Sequence, residues 1–115
     1  MTKETVIGAQ GEITIYRIDA MPPVEGLRPA GRHNGAWIIS HSESGHHHLL
    51  SGGEVLEREG DDFVARLYAT LTEPATLFQD AATPHGTIEL PPGLYEFRLA
   101  REYDPFLEQA RRVAD

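Results

Sequence analysis

Phe63, Ala65, Leu67, Ala69 and Leu71 put an apolar side chain at every second position, with Arg66 and Thr70 between them. A helix would scatter these residues around its surface, whereas a strand gathers them on one face. The run therefore predicts a central strand over 63–71, buried on one side. Shorter runs repeat the pattern: Ile13 and Ile15 against Thr14 and Tyr16 in 12–18, Trp37 and Ile39 against Ile38 in 36–40, and Tyr95, Phe97 and Leu99 together in 93–101. With 46–51, 54–59, 75–79 and 86–90 the chain carries about eight strands.

Turn residues punctuate these runs. Met21-Pro22-Pro23 ends one strand, Pro91-Pro92-Gly93 precedes another, and Val24 to Gly35, with Pro29 and scattered glycines, is read as a long crossing loop. Asp104-Pro105 has the form of a helix start, and Phe106, Ala110 and Val113 share a face beyond it. The expected fold is mainly β: a small β-barrel or jelly roll of about eight strands with one short C-terminal helix.

The 115 residues suit a single domain over 1–115, and a composition of 40% hydrophobic and 24% charged residues is that of a chain that builds a core. Cysteine is absent, which removes disulfides, thiolate metal sites and cysteine nucleophiles. A net charge of −8 repels phosphate backbones, and no basic stripe offsets it, so nucleic acid is not an expected partner. The opening MTKETVIGAQGE lacks the apolar core of a signal peptide, and no apolar run is long enough for a membrane helix. A cytoplasmic protein without membrane contact is expected.

Histidines concentrate in SHSESGHHHLL, which holds His41, His46, His47 and His48. On a strand His46 and His48 face the same way and His47 the other. If Gly52-Gly53 closes a two-residue hairpin, counting outward pairs Ser51 with Glu54, Leu50 with Val55, His48 with Glu57 and His46 with Glu59. Opposed residues have Cβ atoms about 4.5–5.5 Å apart, so each carboxylate would reach a shared ion or orient an imidazole. His85, in Thr83-Pro84-His85-Gly86, is the remote residue expected to complete a three-ligand site. The predicted metal set is His46, His48, Glu57, Glu59 and His85, with zinc, iron, manganese or nickel as the divalent ion. The plainer reading makes the same pairs surface electrostatics, and assigns His41 and His47 a structural role. Ser40, Ser42 and Ser44 lack a nucleophile elbow, Asp61-Asp62 reads as a turn, and Arg101-Glu102-Tyr103 as a lock on the following helix. None of these residues nominates a catalytic reaction.

His46-x-His48 followed by Glu54 and Gly60 resembles the first cupin motif, and Pro84-x-Gly86-x-x-Glu89 has the spacing of the second with Glu89 where that family has histidine. The resemblance implies a metal site inside a β-barrel. More of the chain resembles a group of small uncharacterised bacterial and phage proteins. The residues that carry this likeness are Gln10-Gly11-Glu12, Gly45-His46-His47-His48, Leu90-Pro91-Pro92-Gly93-Leu94-Tyr95 and Arg101-Glu102-Tyr103. That resemblance implies a domain of this shape and supplies no activity.

Two functions follow as expectations. One is a cupin-like domain that holds a divalent metal, a small polar ligand, or both. The other is a non-enzymatic interaction module, phage- or defence-associated, with structural histidines. Edge strands make a homodimer compatible with either.

Overall fold

A computed structural model describes residues 4–41, 47–58, 64–79 and 86–100. Strands dominate, and there is no helix among the described residues. The elements are β1 (Glu4–Gln10), β2 (Ile13–Ile18), β3 (Leu27–Pro29), β4 (Arg32–His33), β5 (Ala36–Ser40), β6 (His48–Leu50), β7 (Glu54–Arg58), β8 (Val64–Leu71), β9 (Ala75–Gln79), β10 (Ile88–Leu90) and β11 (Gly93–Ala100). The expected C-terminal helix lies outside the described residues.

These strands form two antiparallel sheets, not a closed barrel. One sheet has six strands in the order β1-β2-β11-β8-β7-β3, and the other has five in the order β10-β9-β6-β5-β4. The period-two runs point into the space between them. Ile13 and Ile15 of β2, Leu67, Ala69 and Leu71 of β8, and Tyr95 and Phe97 of β11 meet Trp37, Leu50 and Leu77 from the facing sheet. Ile13, Ile15, Leu50, Leu77, Tyr95 and Phe97 are wholly buried, each contributing about 1.5–3 kcal/mol by leaving water. β8 is interior to its sheet, as its pattern predicts, and β11 lies beside it in register from Gly93↔Leu71 to Ala100↔Val64.

Two expectations need correction, and one further strand carries no sequence signal. The stretch 24–35 is not all loop: Leu27–Pro29 pairs with β7 and Arg32–His33 with β5, each segment too short to show a period. Glu4–Gln10 forms an edge strand whose outward-facing residues and bulge between Val6 and Gly8 break any alternation. Most consequentially, Gly52-Gly53 closes no hairpin. β6 pairs with β5 and β9, while β7 pairs with β8 and β3 in the other sheet. All of β6 is buried and hydrogen-bonded on both sides, leaving it no free edge for β7. The chain crosses between sheets at the glycines, so Leu50 and Val55 face each other across the core. Trp37 Nε1 donates to Gly53 O at 2.8 Å and fixes that corner.

Candidate functional site

The β1–β2 turn, Gln10-Gly11-Glu12, folds from the six-stranded sheet over β6 of the five-stranded one. His48 and Leu50 share the inward face of β6, but Leu50 lies in the apolar core and His48 at its end, against this turn. Only 5% of His48 is exposed. Gly11 adopts φ +58°, and a Cβ there would stand 3.2 Å from both Cε1 and Nε2 of His48. Glycine thus supplies the left-handed turn and the close approach.

Gln10 fixes the imidazole. Its Nε2 donates to Leu77 O at 3.2 Å and to Gly86 O at 2.9 Å, using both amide hydrogens, and its Oε1 lies 2.8 Å from His48 Nδ1. An amide oxygen only accepts, so Nδ1 carries the proton and donates. In the neutral ring Nε2 is then the basic nitrogen, and Glu12 Oε2 stands 3.9 Å from it. A bulge between Ile38 and Ser40 sets Ser40 opposite His48, and Ser40 Oγ donates to Glu12 Oε1 at 2.5 Å. Burial pushes the Glu12 carboxyl up, but the hydrogen bond from Ser40, one from its own backbone and the nearby His48 outweigh it and hold the group below the usual carboxylate range. Glu12 remains 46% exposed, so the cluster opens to solvent on its carboxylate side.

The structure separates His48 from Glu57, two of the residues grouped by sequence. Glu57 lies on β7 in the other sheet, opposite Arg28 and Leu67, and its Oε1 accepts from Arg28 Nε at 2.9 Å. It is not the partner of His48, because the counted hairpin does not exist. His46, Glu59 and His85 lie outside the described residues, as do Ser42, Ser44, Asp61, Asp62 and Arg101-Glu102-Tyr103. Among the described residues no three His, Asp or Glu side chains converge as a ready metal cluster. The carboxylate beside His48 is Glu12, and the residue that orients the ring is Gln10. Hairpin counting had no means of reaching either. The Gln-Gly-Glu turn was visible as a motif, but not the residue it covers.

A buried charge elsewhere in the fold is structural. Glu96, on the outward face of β11, accepts from Arg98 Nε at 2.5 Å, with Arg66 Nη1 at 3.7 Å, and Arg98 also pairs with Glu4 and stacks over Tyr16. Burial lowers the Arg98 guanidinium, but Glu96 and Glu4 more than reverse this and hold it above its ordinary value. The Leu-Pro-Pro-Gly-Leu-Tyr run closes the β10–β11 turn, with Tyr95 OH donating to Pro91 O at 2.5 Å. An open depression of about 430 Å³ at the other end of β2 is lined by Thr5, Arg17, Ile18, Asp19, Gly93 and Leu94.

A family model described as a domain of unknown function, DUF8820, matches residues 9–100. The chain belongs to this family. The DUF8820 match takes in β2 to β11, the last two residues of β1 and the whole Gln10–Glu12–Ser40–His48 cluster, and it stops short of Arg101-Glu102-Tyr103. No curated protein and no solved structure matches the chain. No helix among the described residues of this DUF8820 domain is long and apolar enough to cross a membrane.

Proposed function

We propose that this domain is a binding module that takes a divalent metal, or a small polar ligand in its place, at the open end of the sandwich, with His48 and Glu12 as first contacts. The observation that supports it is the orientation of His48. Its Nδ1 is committed to the Gln10 carbonyl, and the ring's basic nitrogen faces a carboxylate. Metal-binding histidines are oriented in this way, by a carbonyl or carboxylate on the other ring nitrogen. An imidazole nitrogen beside a carboxylate is also a pair that a proton or a cation stabilises. The donor types suit zinc, iron, manganese or nickel. In this reading the cupin likeness lies in the donor chemistry, imidazole and carboxylate, with Glu12 in the role assigned from sequence to Glu57 and Glu59.

The test is metal analysis and zinc or manganese titration of tag-free protein, read at the ring resonances of His48. Stoichiometric binding that shifts those resonances and weakens roughly tenfold or more in Glu12→Gln supports the reading. Glu12 is half-exposed, so that variant is expected to fold. Resonances of His48 that ignore both metals overturn metal binding here.

A second reading, an interaction module, is favoured by β1. It is an edge of the six-stranded sheet and exposes Val6 and Ile7. Edge pairing with a second copy would bury them. Light scattering that reports a dimer in the wild type and a monomer in Val6→Lys supports it, and a monomeric wild type removes it.

A further inference from the structure

The open depression at the far end of β2 is arranged around an arginine. Arg17 continues the inward row of Ile13 and Ile15 and stands opposite Tyr95 in the register with β11, so its side chain leaves the core at the end of the sandwich. Its Cζ lies 5.9 Å from the centre of the Tyr95 ring, and its Nη2 donates to Pro92 O at 3.3 Å. Gly93 makes room for the group: a Cβ there would stand 2.9 Å from Nη2 and 3.3 Å from Cζ. Ring, carbonyl and bare backbone thus seat the guanidinium of a residue that is otherwise exposed.

Arg28 pairs with Glu57, and Arg98 with Glu96 and Glu4, whereas Arg17 meets no carboxylate among the described residues. Pro92 O takes one of its N–H donors, and the rest of the planar fork suits a bidentate oxygen partner. Beside it Ile18 and Leu94, directly paired across β2 and β11, supply an apolar wall, and Thr5 supplies a hydroxyl. A volume of about 430 Å³ is that of a small-molecule site. Asp19, on the same lining, has a partner of its own, and its charge together with the net charge of −8 works against polyanions. We propose that the depression binds a small aliphatic monocarboxylate, with the carboxylate on the Arg17 guanidinium and the hydrocarbon on Ile18 and Leu94. This inference does not depend on the Glu12–His48 site, which lies at the opposite end of β2.

The experiment is titration of tag-free protein with butyrate at constant ionic strength, following the Arg17 Nε–H and the Gly93 and Leu94 amide resonances. Saturable shifts at all three are expected. Acetate, two methylenes shorter, should bind roughly tenfold more weakly, and inorganic phosphate should not saturate. Arg17→Gln, at an exposed position, should weaken butyrate tenfold or more, and Arg17→Lys, which keeps the charge without the fork, should restore only part of it. If Arg17→Gln unfolds, Leu94→Ala serves: it should weaken butyrate and leave acetate unchanged. Resonances that ignore butyrate, butyrate binding that survives Arg17→Gln or is indifferent to Leu94→Ala, or acetate and phosphate that bind as well as butyrate overturn the proposal.

Discussion

Gln10 donates both amide hydrogens to carbonyls at Leu77 and Gly86 and offers its oxygen to His48, so one side chain ties β1 to three other points of the chain. Gln10→Leu keeps the size and removes every one of these bonds. Urea denaturation should show a loss of at least about 1–3 kcal/mol, the cost of leaving buried polar groups unmatched. Gly11→Ala at φ +58° should cost about 1–2 kcal/mol from the backbone alone, and the methyl group also presses on the His48 ring. Glu12 gives the site its acid sensitivity. Its folded carboxyl titrates below the ordinary value of a glutamate, so the stability it contributes is present above that ordinary value and is lost as pH falls through the lower folded one. In chelator-treated protein, Glu12→Gln should flatten this part of the acid-denaturation profile, measured by circular dichroism. An unchanged profile would show that the carboxylate does not couple to folding.

Among the elements, strands that face the core on one side were legible in the sequence. Ala36–Ser40 and Ala75–Gln79 fall where the alternation puts them, and β2, β7 and β8 begin or end one residue from the expected bounds among the described residues. Their period is a direct record of half-burial. β3 and β4 were not legible, because two or three residues hold no period, and β1 was not, because an edge strand with a bulge faces solvent on most positions. The Gly52-Gly53 corner misled for a physical reason: glycine permits positive φ in a hairpin and in a crossover alike. What decides between them is β6, buried at all of its positions and flanked on both edges, which is a property of its neighbours. The same error displaced the candidate site. His48 is legible in the sequence, but the turn across which counting assigns its partners leads to the other sheet. Gly53→Ala tests the corner. At φ +79° a Cβ would stand 2.7 Å from Thr70 O and closer still to Leu71 Cδ2, so a loss of about 2–4 kcal/mol is expected. A mild effect would mean that the crossover yields to make room for the methyl group.

For the whole molecule, the two sheets share one core and are joined at the crossover by the indole of Trp37, the sole tryptophan. Thermal unfolding followed by its fluorescence and by far-ultraviolet circular dichroism should therefore coincide. Transitions that separate would show that the sheets melt independently. Phe97→Ala empties the centre of the six-stranded sheet and should cost about 3–5 kcal/mol, enough to threaten the native state of a chain this size. The position of β11 has a further consequence for how the molecule comes into being. This last described strand fills the gap between β2 and β8, so the six-stranded sheet stays split until residues 93–100 have been synthesised. Until then the apolar faces of β2 and β8 lack the strand that joins them, and folding is governed by distant pairings, which places the domain among the slower small domains, in milliseconds to seconds. A fragment ending before Gly93 should be captured by chaperones or aggregate, not settle into a smaller version of the same fold.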